Sequence, residues 1–222
     1  MKTQDSSRVL AIIDDDKSVL CALQDLVQSE GMPALCFGSA EQFLDSCARH
    51  NAACLMADIR MPGMSGLELQ AQLKAERSRM PIIFITGRGD IPSAVNAMKE
   101  GAWDFFAKPV NGTALLASIE KALRQNQANR QETCEYAQLV TKYKSLTPRE
   151  RDLLPLLVSG LLNKQAASEL GITEYTVQFH RGHIMRKMEA DSFASLVRMA
   201  DKLIPSDPQH LQPKSVHGIS GN

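Results

Sequence analysis

Ala53-Cys54-Leu55-Met56-Ala57, followed by Asp58-Ile59-Arg60-Met61-Pro62-Gly63-Met64-Ser65-Gly66, is the stretch that decides how the chain folds. The first five residues are small or apolar and uncharged, and a short run of that kind reads as a buried strand. An acid follows at once, and an amphipathic helical stretch begins near 66 and runs to 75. The same β-α unit recurs along the first half. Val9 to Ile13, Pro33 to Phe37, Ala53 to Ala57, Ile82 to Thr86 and Ala102 to Ala107 read as strands, separated by helical stretches near 17–29, 39–49, 66–75, 91–100 and 112–124. Five such units predict an α/β domain, a five-stranded parallel sheet covered by helices on both faces. In that architecture functional groups gather beyond the carboxyl ends of the strands, at a topological switch point.

The residues at those ends are unusual. Asp14, Asp15 and Asp16 follow the first strand and Asp58 follows the third. If these strands are neighbours, the carboxylates converge, and their repulsion calls for a cation. Magnesium suits hard oxygen ligands with positions left over for water and phosphate. Thr86 ends the fourth strand, and Lys108-Pro109 follows the fifth. A hydroxyl and an ammonium beside an acid pocket suit a phosphoryl group, with Lys108 balancing charge as Asp58 attacks in line. A cis peptide before Pro109, aiming Lys108 inward, is expected on the same grounds. Asp16 is expected to cap the first helix.

Over about residues 8–124 these motifs, Asp14-Asp15, Asp58 to Gly66, Thr86-Gly87 and Lys108-Pro109, resemble the response-regulator receiver family. The resemblance implies a flavodoxin-like doubly wound fold with Asp58 as phosphoacceptor. Asp15 would bind magnesium directly, Asp14 through water, and the Arg60 backbone carbonyl would be a third contact. Thr86 and Lys108 would hold phosphoryl oxygens, and Thr86 and Phe105 would be the switch residues. The Asp14-Asp15-Asp16 run also resembles the Asp-x-Asp opening of haloacid-dehalogenase-like phosphohydrolases. That alternative leaves Asp58 unexplained and finds no acidic pair after Lys108, so an enzyme is not expected.

The composition agrees with a two-domain intracellular protein. With 222 residues and a hydrophobic fraction of 44%, the chain can fill two cores. Cys21, Cys36, Cys47, Cys54 and Cys134 are odd in number and show no paired metal-ligand spacing, which argues against a disulfide framework or a zinc site. No signal peptide or membrane span is evident, so the cytoplasm is the expected compartment. The formal charge of zero conceals a slightly acidic first half and a slightly basic stretch at 143–204, compatible with a local nucleic-acid face.

Arg124 to Lys144 is polar and free of proline and glycine, which predicts a helical linker. Its roughly heptad positions, Leu115 through Asn126, Asn129 and Thr133 to Tyr143, are too polar for a stable coiled coil unaided. Thr147-Pro148-Arg149-Glu150 then reads as a capping box with proline at the first helical position. The helix runs to Gly160, kinked but not abolished by Pro155. Asn163 to Leu170 forms a second helix, Gly171 a turn, and Thr173 caps a third reaching about Met188. Val177, Ile184 and Met188 form its inward stripe. Tyr175, Phe179, Gly182 and Arg186 lie opposite, with Gln178 and His183 at the flanks. An outward Phe suits a helix lying in a DNA groove, where Gln178 reads a base edge and Phe179 meets a thymine methyl. Arg181, about 40° from the Val177 stripe by helical geometry, is expected to pair with Glu150.

This half resembles the LuxR-type helix-turn-helix through Leu146-Thr147, Arg149-Glu150, Gly160, Asn163-Lys164, Ala166-Ala167, Leu170-Gly171-Ile172, Thr176 to Arg181 and Lys187-Met188. Together with a receiver it is similar to the FixJ/NarL-type regulators. The expected layout is a receiver at 1–124, a helical linker at 125–145, an all-α four-helix DNA-binding domain at 146–204 and a disordered tail at 205–222. The resemblance implies phosphate contacts from Lys164 and Thr176 and groove positions for Gln178, Phe179 and Gly182. His180 and Arg186 are further candidate DNA contacts. The implied partners are a sensor histidine kinase, promoter DNA, a second copy of the chain after phosphorylation, and RNA polymerase. A docking adaptor built on the same C-terminal half remains an open alternative, and Gly182 offers no side chain for base readout.

Overall fold

The computed structural model describes residues 9–87 and 91–203; the tail expected to be disordered at 205–222 lies outside them. Strands β1 (Leu10–Ile13), β2 (Ala34–Phe37), β3 (Cys54–Asp58), β4 (Ile82–Thr86) and β5 (Asp104–Ala107) form one parallel sheet in the order β2-β1-β3-β4-β5. The chain leaves β1 toward one edge and resumes at β3 on its other side, which makes the β1/β3 boundary the switch point.

Alternate residues of the strands serve different cores. Ala11, Ile13, Leu55, Ala57, Ile82 and Phe84 face helices α2 (Ala40–Asp45), α4 (Gly66–Ala75) and α5 (Ile91–Lys99), where Phe43, Leu44, Leu69, Leu73, Ala94 and Ala97 meet them. Leu10, Ile12, Cys54, Met56, Ile83 and Ile85 face α1 (Lys17–Ser29) and α6 (Gly112–Lys144) through Leu23, Val27, Leu115, Ile119 and Ala122. Burial on both faces is why these strands read as unbroken apolar runs.

Local chemistry sets the element ends. Asp16 caps α1 by accepting the Ser18 N–H at 2.8 Å, as expected. The helical stretch expected at 39–49 is instead two pieces, α2 and α3 (Ala48–Asn51). Ser46 separates them: its backbone is extended, and its hydroxyl donates to the Phe43 carbonyl and accepts the Ala48 N–H. The fifth strand starts at Asp104 rather than Ala102, because the Ala102 N–H closes α5 on the Ala97 carbonyl. Gly66 starts α4 against the Asp58 carbonyl, where a Cβ would come within 2.3 Å of that oxygen.

Helix α6 runs unbroken from Gly112 to Lys144. Asn126, one of the polar positions in its heptad, is buried and donates to the Ala53 carbonyl at 2.7 Å, while Arg130 donates to the Ala52 carbonyl at 2.7 Å. These side chains tie the helix to the residues just before β3, which accounts for the polarity of the heptad position Asn126.

The chain divides into compact units Met1–Gln131 and Glu132–Asn222. The second holds the end of α6 with α7 (Pro148–Val158), α8 (Asn163–Leu170), α9 (Glu174–Met188) and α10 (Phe193–Leu203). Its core joins Leu139, Leu146, Leu153, Leu154, Leu157, Ala166, Val177, Ile184, Met188 and Leu196. The Thr147/Glu150 capping box is present, and α7 continues through Pro155. Gly171, at φ 62°, ends α8 in the left-handed region that glycine tolerates, and Thr173 caps α9.

Candidate functional site

The sheet register brings the predicted pocket together. Ile13 lies opposite Ala57, so the next residues, Asp14 and Asp58, stand side by side at the carboxyl end of the sheet. Asp58 lies opposite Ile85, which places Thr86 one step further along β4. Thr86 lies opposite Ala107, and its carbonyl accepts the Lys108 N–H at 2.8 Å. Four residues distant in sequence thereby converge.

Carboxylate oxygens of Asp14, Asp15 and Asp58 lie within 4.8 Å of one another. Lys108 Nζ donates to Asp14 Oδ2 and Asp58 Oδ2, each at 2.6 Å, and the Lys108–Pro109 peptide is cis as expected. Asp14, Asp58 and Thr86 are buried, and Asp15 is exposed. Asp58 Oδ1 accepts the Arg60 N–H at 3.0 Å, which orients the carboxylate.

Burial pushes the Asp14 carboxyl above its ordinary value, against hydrogen bonds from Lys108 and the Asp16 amide, and the nearby Asp58 charge adds to the rise. Burial lowers the Lys108 ammonium, but hydrogen bonds to Asp14 and Asp58 and their charges outweigh it and hold Lys108 above its ordinary value. Three carboxylates against one ammonium leave two negative charges in excess. Hard oxygen donors with that excess fit a divalent cation such as magnesium.

Glu41 escaped the sequence reading. Its Oε1 accepts the Met64 N–H at 2.8 Å and so steadies the loop after Asp58. Residues 41 and 64 sit in different β-α units, and no local pattern links them.

In the second unit, α9 buries Val177, Ile184 and Met188 and presents Tyr175 (81% exposed) and Phe179 (55% exposed) outward, with Gln178, Gly182 and Arg186 also exposed. Lys164 is exposed in the first turn of α8, and the Thr176 hydroxyl lies 2.8 Å from that of Thr173. His180 is half-buried, and its Nδ1 is enclosed without a hydrogen-bond partner among the described residues.

The expected Arg181–Glu150 pair does not form. Glu150 Oε2 instead accepts Lys187 Nζ at 2.7 Å, while Arg181 lies 4.6 Å over the Phe193 ring and reaches Asn163 Oδ1 at 3.4 Å. Arg181 and Lys187 flank the buried stripe of α9 on opposite sides, and it is the Lys187 side that packs against α7.

Residues 10–120 match the family described as response regulator receiver domain, and residues 144–200 match the family described as bacterial regulatory proteins, luxR family. Response regulator protein TodT of Pseudomonas putida F1 is 47% identical over 199 residues, 90% of this chain and 88% of that protein. Transcriptional regulatory protein FixJ of Bradyrhizobium diazoefficiens is 40% identical over 189 residues, 85% of this chain and 92% of that protein. The solved structure of the response regulator StyR superposes with a TM-score of 0.82 at 45% identity, covering 87% of this chain and 98% of that one. With its carboxylate pocket on a five-stranded parallel sheet and its helix-turn-helix unit, the chain belongs to the two-component response regulators that join a receiver domain to a LuxR-type DNA-binding domain.

Proposed function

We propose that Asp58 takes a phosphoryl group from the histidine of a sensor kinase, and that this lets two copies of the chain pair and bind promoter DNA in the cytoplasm. The observation that carries this reading is the meeting of Asp14, Asp15 and Asp58 around the Lys108 ammonium at the β1/β3 switch point. An Asp58 oxygen forms the new O–P bond while the P–N bond to the donor histidine breaks, and the electron pair leaves with the imidazole. In this reading Lys108 passes its hydrogen bond from Asp58 to a phosphoryl oxygen, and the Thr86 hydroxyl holds another. Asp15, Asp58 and the Arg60 carbonyl would hold magnesium directly and Asp14 through water, and the ion would there supply positive charge to the phosphoryl oxygens.

Thr86 and Phe105 serve as the switch. Phe105 is half-buried against the core beneath α5 and, lacking a hydroxyl, reports the state of the pocket by packing alone. On α5, Val95 (45% exposed) and Met98 (38% exposed) offer an apolar face for pairing, to which the sequence adds Ile91, whose side chain lies outside those described. Phosphodonor is therefore expected to convert monomer to dimer in sedimentation at tens of micromolar, a range set by weak interfaces of about −6 to −8 kcal/mol. An unchanged monomer counts against the pairing.

On DNA, Lys164, Thr176, His180 and Arg186 face phosphates, while Gln178 and Phe179 meet base edges and Gly182 lets the backbone approach; RNA polymerase is the further partner at the promoter. Lys164→Ala is expected to weaken binding to every sequence and to lower the salt slope by about one unit, since one fewer counterion is released. Gln178→Ala is expected to cost about 1–3 kcal/mol on the preferred site and little on random DNA. Fluorescence anisotropy on selected and scrambled duplexes across a salt series measures both. If neither substitution alters binding to any duplex while a protein partner is lost, the C-terminal unit is a docking module.

A further inference from the structure

Phe179 is an apolar ring on the outward face of α9, and nothing in its own chemistry holds it in one rotamer. One turn on, His183 packs against it, while the neighbouring His180 ring meets it edge-on with centroids 5.9 Å apart. The Phe179 and His183 rings lie with centroids 4.2 Å apart and planes tilted by 50°, as residues four apart on a helix can. Behind His183 stands Glu150, whose Oε1 lies 3.7 Å from His183 Nδ1, beyond hydrogen-bond reach but close enough for a charge contact when the imidazole is protonated.

Glu150 is an unusually fixed anchor. It is 1% exposed, and its Oε2 is occupied by Lys187 Nζ and by the Thr147 N–H, each at 2.7 Å, which leaves Oε1 toward His183. A chain of contacts thus runs from the cap of α7, through a buried carboxylate and an imidazole, to the exposed ring.

We propose that His183 is a positioning residue for DNA recognition: braced on Glu150, it fixes the Phe179 ring in the orientation that meets a thymine methyl. This rests on the groove-facing role of Phe179 given above. A ring ordered before binding loses less rotational freedom on the DNA, and an apolar side chain on the thymine C5-methyl is a recognised means of reading that base. Gly182, with open space where its Cβ would be, puts no side chain beside the ring. His183 touches no base in this scheme; it acts through Phe179.

The test uses the full chain and a selected duplex in which each thymine is replaced in turn by uracil, which removes one methyl group and no hydrogen-bonding group. Wild type is expected to lose affinity at one thymine of each half-site, and Phe179→Ala to abolish that dependence. His183→Ala is expected to bind the thymine duplex about three- to ten-fold more weakly and to narrow the thymine-to-uracil ratio, with binding to random DNA unchanged. His183→Phe, which restores a ring behind Phe179, is expected to recover the ratio, a rescue that separates positioning from a general loss of fold. Methyl dependence that is lost in Phe179→Ala but intact in His183→Ala overturns the positioning role alone. Methyl independence in the wild type overturns the reading of Phe179 and the positioning role with it.

Discussion

Asp58→Asn is expected to reduce acid-labile phosphoryl labelling by a small phosphodonor to background, read by intact mass. The substitution is nearly isosteric. The amide oxygen can still accept the Arg60 N–H that now reaches Oδ1 at 3.0 Å, so the fold is kept while the nucleophilic carboxylate is lost. Asp14 and Asp15 are not expected to take over. Asp14 is buried, held by Lys108 at 2.6 Å and by the Asp16 amide at 2.9 Å, while Asp15 is exposed at the start of the first loop. Chelation of divalent metal is expected to suppress labelling of the wild type, because two excess carboxylate charges then repel the incoming phosphoryl group. Lys108→Ala is expected to slow labelling strongly for the same reason. Full labelling of Asp58→Asn would sink the assignment.

Glu150→Ala is expected to destabilise the Glu132–Asn222 unit by about 3–4 kcal/mol, since it breaks a buried ion pair and one half of a helix cap. The lower part of the range for buried pairs applies because Lys187, with a side chain 29% exposed, can turn toward water. In a unit of this size that corresponds to a fall in melting temperature on the order of 12–30 °C.

The same group gives the unit an acid limit. Burial pushes the Glu150 carboxyl up, but the Lys187 and Thr147 hydrogen bonds and the Lys187 charge outweigh it and leave it below its ordinary value of 4.5. A carboxyl lowered on folding stabilises the native state above the unfolded value, and that stability is lost as pH falls through the native one. Acid melting below pH 4.5 should therefore be steeper in the wild type than in Glu150→Gln, which keeps an acceptor for the Thr147 N–H but has no charge to lose. Equal pH profiles for the two proteins rule out the charge as the source.

The α/β class, the strand positions and the membership of the acid pocket were legible in one dimension. Strands buried on both faces advertise themselves as apolar runs, and groups at strand ends must meet wherever the sheet order makes those ends neighbours. Cap chemistry was equally local: Asp16 and Thr147 bond to residues two or three positions away, within reach of a sequence pattern. The break at Ser46 was not legible, because it depends on a hydroxyl preferring its neighbours' backbone groups over one more turn of helix.

By itself, then, the sequence determined which residues lie at strand ends, which stripe of α9 is buried and which residues flank that stripe. Tertiary structure alone decided which flank faces α7, giving Glu150 to Lys187 and His183 and sending Arg181 to Phe193. It also decided that the polar Asn126 and Arg130 would bind the carbonyls of Ala53 and Ala52. The reason is physical. Helical periodicity places a side chain around its own axis and says nothing of the hand or depth at which another element packs against it, and partners far apart in sequence are chosen by that packing.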